Sequence, residues 1–335
     1  RSRWPMKFGL LNTDCLWVFD EIQLMGSGLA TTAQLEAFRR LLPRGDAETA
    51  TNGQGCRSVW MSATLRPEWL RTVDFKSRID DQGRIGVQDP PSLPDNHHTD
   101  KQVSDRWNAK KPLTKAKAAM AEHADTKALV PLADEIRQAH KSGTRTIVVV
   151  NSVARACALY EALKKGFDGA SRPVAASGKR SRRRRNEAVP AQPNAGTNAP
   201  KPNLVLLHSR FRPDDRAKRV TEALADVPAD GPGTIIVSTQ VIEAGVDVSA
   251  ATLFTELAPW ESLVQRFGRC NRRGEQNEQA CVKWIDLPAN DEEAEKLRFP
   301  YELSDLRAAA EELEKLTDVG LASLAAHQRN LTKDQ

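Results

Sequence analysis

Cysteine is sparse and scattered in this chain of 335 residues. Cys15, Cys56, Cys157, Cys270 and Cys281 include no CxxC pair. That argues against a zinc site and against a disulfide framework, and for a reducing cytoplasm. No run approaches the ~18 apolar residues that span a bilayer, so no membrane segment is expected. The opening RSRWPMKFGLLNTD has no signal-peptide apolar core and no initiator methionine, and the chain is expected to be an internal piece of something longer. Charge is not extreme either. Lys and Arg number 49 against 44 Asp and Glu, a formal net charge of +5, compatible with a polyanionic partner without demanding one. Oligomeric state is not legible.

Apolar, β-branched runs alternate with longer amphipathic stretches, the signature of βα units and a parallel sheet. Strands are predicted at CLWVF (15–19), SVWMSA (58–63), TIVVV (146–150), LVLLH (204–208), TIIVST (234–239), TLFTE (252–256) and CVKWIDL (281–287). Helices are predicted at 30–42, with Leu35, Phe38 and Leu42 on one face, at 128–143, closed by Gly143, and at 155–166, closed by Gly166. Residues 74–115 are polar and broken by prolines, and read as the passage from one lobe to the next. Residues 166–203 almost lack large apolar groups and are expected to form a disordered insertion. Its KRSRRRR run (179–185) either grips phosphates or is a solvated loop. The acidic tail SDLRAAAEELEKL (304–316) predicts a scaffold helix with Ser304 as N-cap.

Four stretches carry candidate chemistry. CLWVFDEIQLMG (15–26) runs an apolar strand into Asp20 and Glu21. The plain alternative is a capped surface strand. At the carboxyl end of a parallel strand, however, an Asp can hold a phosphate-bridging Mg²⁺ and a neighbouring acid can activate water. MSATL (61–65) places Ser62 and Thr64 after the next strand, able to link a carboxylate to a moving lobe, although such a stretch is more often a turn. In PWESLVQRFGRCNRRGE (259–275), a helix from about Glu261 puts Gln265, Arg269 and Arg272 on one face, with Leu263 and Phe267 inward. Two aligned arginines suit a triphosphate, against the alternative of an exposed basic helix. Gly268 inside that helix costs about 1 kcal/mol relative to alanine, which close approach of a lobe or nucleotide would offset. IIVSTQVIEAGVDVS (235–249) delivers Thr239 to a strand end, with Gly245 open to a ligand and Asp247 in reach of a ribose. LLHSRF (206–211) offers His208, Ser209 and Arg210 as a backbone clamp, the alternative being a hydrogen-bonded structural histidine.

DEIQ, SAT, TQVIEAGVD and QRFGRCNR, in this order, resemble motifs II, III, V and VI of superfamily 2 helicases. DEIQLM, LLHSRF, the TQV opening and the GRCNRRGE ending narrow the resemblance to the CRISPR-associated helicase–nuclease of type I interference systems, over about residues 10–290. The resemblance implies an α/β fold of two parallel-sheet RecA-like lobes with ATP between them. The second half of the first lobe would occupy 1–75, a linker 76–115, the second lobe 116–288 and a helical extension 289–335. It implies Asp20 on Mg²⁺, Glu21 activating water, and Arg269 and Arg272 as arginine fingers beside Gln265. Gly245 and Asp247 would contact the nucleotide, Ser62 and Thr64 would couple hydrolysis to lobe motion, and His208, Ser209 and Thr239 would line single-stranded DNA. A crRNA-guided complex is the implied partner. The chain departs from the pattern in three places: no GxxxxGK[ST] is present, no His-Asp dipeptide marks a nuclease, and Gln23 stands fourth in motif II. The chain alone is therefore expected to hydrolyse ATP poorly. A general DNA or RNA helicase and a non-catalytic nucleic-acid-binding remnant are the alternatives.

Overall fold

The computed structural model describes residues 3–13, 15–22, 25–41, 56–61, 70–75, 100–121, 126–170, 200–243 and 246–333. Gln23, Ser62, Thr64, Gly245 and the 179–185 run lie outside the described residues. The chain divides into two compact units, Arg1–Asp95 and Asn96–Gln335.

The first unit contains α1 (Trp4–Thr13), β1 (Leu16–Phe19), α2 (Ser27–Leu41) and β2 (Arg57–Trp60). β1 and β2 are parallel neighbours, Leu16 opposite Arg57 and Phe19 opposite Trp60. Parallel neighbours need a crossover, and α2 lies within it. The inward face of α2 is not the one expected. Phe38 is 54% exposed, whereas Leu29, Thr32, Ala33, Glu36 and Ala37 are buried. Those positions follow the helical period of three and four. Their polar members concealed the stripe: Thr32 accepts from Trp60 Nε1 at 2.8 Å, while Glu36 pairs with Arg39, which donates to Ser58. β1 is likewise not buried on both sides, since Leu16 and Val18 are 63% and 54% exposed. Side chains alternate across a strand, and only the Trp17–Phe19 side meets other rings, Phe19 stacking on Trp60.

The second unit is built on β3 (Leu113–Lys115), β4 (Arg145–Val149), β5 (Asn203–Leu207), β6 (Thr234–Ser238), β7 (Thr252–Glu256) and β8 (Cys281–Ile285). Their order is β3-β8-β7-β4-β6-β5, and every pair is parallel. α3 (Lys101–Trp107), α4 (Val130–Ala139), α5 (Val153–Ala170), α6 (Pro213–Leu224) and α7 (Trp260–Phe267) accompany it, followed by α8 (Asp291–Leu297), α9 (Leu303–Glu314) and α10 (Leu321–Lys333). The central strands read as continuous apolar runs because both faces are covered, and Ile235, Ile236 and Val237 are fully buried.

Several boundaries differ from the sequence reading. α3 and β3 fall inside the expected passage, and Leu113 pairs with Val282; three residues are too few to display a period. α4 stops at Ala139, and Gly143 (φ +69°) turns the chain into β4, where a Cβ would lie 2.2 Å from the Ala229 oxygen. α5 continues through Gly166 to Ala170, because glycine is disfavoured inside a helix without being forbidden there. α9 is capped at Glu302, which leaves Ser304 within its first turn.

Candidate functional site

Two stretches run side by side on the second unit: the described parts of the crossover from β6 to β7 (239–243 and 246–250) and α7 with the turn that follows it. Glu243 joins them at one level, where its carboxylate accepts from Arg266 Nε at 2.7 Å and its main-chain oxygen accepts from Arg269. Lower down, Arg272 Nε lies 3.3 Å from Asp247 Oδ1, and Arg273 lies 3.7 Å from Oδ2. Ser249 Oγ accepts from the Arg272 N–H at 3.0 Å and donates to Glu275 Oε1 at 2.7 Å. The main chains close the seam, with Ala250 N–H on the Arg269 oxygen and Asn271 N–H on the Ala250 oxygen.

Gln265, Arg269 and Arg272 therefore do not share a helix face. α7 ends at Phe267, and Gly268 is its C-cap (φ −61°, ψ −13°). A Cβ on Gly268 would lie 3.0 Å from the Gln265 oxygen, so its glycine answers to its own helix. Leu263 and Phe267 face the core as expected. Among the described residues the buried Oε1 of Gln265 has no hydrogen-bond partner. The lower part of the seam also lies at the amino-terminal end of the sheet, where Arg145, first residue of β4, donates to the Ser249 oxygen at 3.0 Å.

The carboxyl ends of β4 and β7, where connections leave in opposite directions across the sheet, hold a second cluster. A doubly wound sheet opens a crevice at such a point. Here Arg266 fills it. Fully buried, it donates to Thr255 Oγ1, the Glu256 oxygen and Asn151 Oδ1 at 2.9–3.1 Å. Glu256, also fully buried, receives the Asn151 N–H at 2.8 Å and lies 2.9 Å from Arg155. Burial pushes the Glu256 carboxyl up, while the Arg155 guanidinium pulls it down. Tyr301, from the C-terminal extension, accepts from Gln240 Nε2 at 3.3 Å and from Arg266 at 3.5 Å.

His208 and Thr239 stand at the carboxyl ends of β5 and β6, both buried, with Ser209 and Arg210 exposed beside them. The His208 ring stacks on Phe211 at 4.0 Å, and its Nδ1 accepts from the Arg210 N–H. In the first unit, Asp20 and Glu21 are exposed after β1. Asp20 Oδ1 accepts from the Glu21 N–H at 2.9 Å, and Glu21 has a φ of +50°, in the left-handed region.

Sequence reasoning missed Glu243, Arg266, Asn151 and Glu256. Glu243 and Arg266 interrupt largely apolar windows, VIEAGV and LVQRF, and a lone charge in such a window needs a buried partner. That was the available signal. Asn151 and Glu256 at strand ends gave none.

Residues 142–275 match the family described as CRISPR-associated nuclease/helicase Cas3, C-terminal. Over that stretch the chain is similar to the Cas3 family. A putative CRISPR-associated nuclease/helicase Cas3 of Myxococcus xanthus is 37% identical over 113 residues, 33% of this chain and 14% of that protein. A CRISPR-associated endonuclease/helicase Cas3 of Thermus thermophilus is 35% identical over 153 residues, 42% of this chain and 16% of that protein. A crystal structure of T. fusca Cas3-ATP superposes with a TM-score of 0.42 at 20% identity, covering 62% of this chain and 21% of that one. The chain thus spans a small part of its curated relatives' length. Among the described residues no helix is long and apolar enough to cross a membrane.

Proposed function

We propose that this chain is a core piece of an ATP-driven translocase of type I CRISPR interference, moving along single-stranded DNA opened by a crRNA-guided complex. The observation that carries the reading is the seam between 239–250 and 265–275. It brings Arg269 and Arg272 onto one turn and sets Arg272 against Asp247. Guanidinium groups held this way can meet charge developing on a γ-phosphate, an effect worth about 10³–10⁵ in rate where it has been measured.

Mg²⁺ takes one or two carboxylates and fills its remaining positions with phosphate oxygens and water. Asp20, exposed at the end of β1 with one oxygen committed to a backbone N–H, fits that need. The ion would neutralise charge on the bridged phosphates. Glu21, next in the chain and exposed, orients and deprotonates the attacking water in this reading. Ser62 and Thr64 relay hydrolysis to motion, Gly245 admits the nucleotide, and Asp247 exchanges its arginine contact for the ribose. Thr239, His208 and Ser209 sit along the single strand, and the exposed Ser209 and Arg210 give the phosphates their first contacts.

The test is Glu21→Gln in the full-length protein. DNA-stimulated ATP turnover should fall to background while ATP binding, followed by equilibrium dialysis, persists. Undiminished turnover would sink the reading.

A further inference from the structure

Arg269 and Arg272 stand on a turn that their helix does not continue into, so their placement depends on whatever fixes the turn from behind. Two residues do so. Lys111, 4% exposed, donates through Nζ to the Phe267 oxygen at 2.9 Å. That oxygen is one of the last carbonyls of α7, which have no partner within the helix. A cation at a helix C-terminus also opposes the negative end of the helix dipole. The second is Asn271, fully buried between the two arginines with φ +43°. Asparagine tolerates this left-handed conformation better than other side-chain-bearing residues.

The Asn271 amide is fully engaged. Nδ2 donates to the Lys110 oxygen at 2.9 Å and to Asn277 Oδ1 at 2.8 Å, and Oδ1 accepts from the Gln276 N–H at 2.8 Å. Residues 110 and 111 are themselves held. Lys110 N–H bonds Asn277 Oδ1 at 2.9 Å, Lys111 N–H bonds Asp318 Oδ2 at 2.7 Å, and Val319 N–H bonds the Lys111 oxygen at 3.0 Å. A short stretch ahead of β3 thus grips both the end of α7 and the midpoint of the arginine turn.

We propose that Lys111 and Asn271 are positioning residues for the Arg269–Arg272 pair, acting through the 110–111 stretch behind the turn. The inference rests on the proposed ATP-hydrolysing function and goes beyond it in naming what sets the arginines. An interaction made only in the transition state changes kcat and leaves KM alone. Misplacing a catalytic group by about 1 Å can cost about a hundredfold.

The experiment uses the full-length protein and four variants: Lys111→Met, Asn271→Gly, Arg269→Ala, and the double variant Arg269→Ala/Asn271→Gly. Glycine adopts the left-handed φ freely, so Asn271→Gly removes the amide contacts without adding strain. Lys111→Met keeps the stem and removes the ammonium, and it tests the idea independently should Asn271→Gly unfold. The expected result, on protein shown by circular dichroism to be folded, is a kcat at least about tenfold lower in each single variant, with KM for ATP within about threefold. The double variant should fall little below Arg269→Ala, because residues acting as one unit are non-additive. Unchanged kcat in Lys111→Met and Asn271→Gly, or losses that multiply in the double variant, overturns the inference while the function stands. Full turnover in Arg269→Ala overturns the function, and this inference with it.

Discussion

Glu243 holds two arginines at once, Arg266 through its carboxylate at 2.7 Å and Arg269 through its main-chain oxygen. The first contact is deeply buried, with Arg266 at 0% and Glu243 at 5% exposure. The second reaches a residue proposed to act on ATP. One acid therefore ties a structural arginine to one proposed to be functional. Removing one member of a buried pair leaves the other uncompensated and costs about 3–5 kcal/mol. Glu243→Ala should lower the unfolding free energy by that order in urea denaturation. A loss under about 1 kcal/mol would mean that the pair is solvated in solution.

Arg272 and Asp247 predict the opposite. Their side chains are 38% and 64% exposed, and the contact is 3.3 Å. Exposed pairs contribute about 0–1 kcal/mol, so Asp247→Asn should leave the urea midpoint nearly unchanged. If Asp247 meets the ribose as proposed, the same variant should weaken ATP binding. A large stability loss with unchanged ATP affinity would count against that role.

His140 sets an acid limit. Its Nε2 lies 2.9 Å from the Pro232 oxygen, which can only accept, so this nitrogen carries the proton and Nδ1 accepts from Thr146 Oγ1 at 2.9 Å. Burial lowers its pKa below the ordinary 6.5, against a smaller upward pull from the Pro232 contact. The unfolded chain then binds protons first as pH falls. Stability is full above about 6.5 and is lost as pH drops from there through the folded pKa. His208 shifts the same way, through burial and then Arg210. Thermal midpoints should decline below pH 6.5, and His140→Gln should flatten that decline in part. An identical pH profile in the variant would rule His140 out as the source.

Cys270 should be chemically silent. Burial pushes its thiol up to about 12, and it is fully buried. The thiolate is the reactive form. In the folded protein at pH 8, a disulfide reagent should modify Cys15, Cys157 and Cys281, which are partly exposed, well before Cys270. Peptide mapping after timed labelling checks the order, and early modification of Cys270 would show that the 250–281 region opens readily.

The strands were legible because apolar β-branched runs bounded by polar turns have few other readings, and all seven predicted ones are present. β3 was not, being three residues long and held by β8. The inward face of α2 was hidden by Thr32 and Glu36: Thr32 meets Trp60 on β2, far away in sequence, and Glu36 pairs with Arg39, which reaches Ser58 on β2. In the candidate site, the motif residues were visible as types, whereas the contact between Asp247 and Arg272 was not foreseen. The helical alignment of Arg269 and Arg272 was misjudged because the period was extended past a glycine that ends the helix. Arg266 was passed over because its buried acid, Glu243, lies 23 residues away in sequence.

Among the described residues β5 is the outermost strand on its side of the sheet, and in sequence it is reached from α5. Changes of length in that connection load a single strand pairing, β5 with β6, and leave alone the arginine turn, which bonds Ala250 ahead of β7 on the far side of β4. Halving such a closure changes its entropy by only about 0.6 kcal/mol. This is therefore the position at which a reporter domain or affinity handle can be spliced into the chain with least disturbance to its arginine turn.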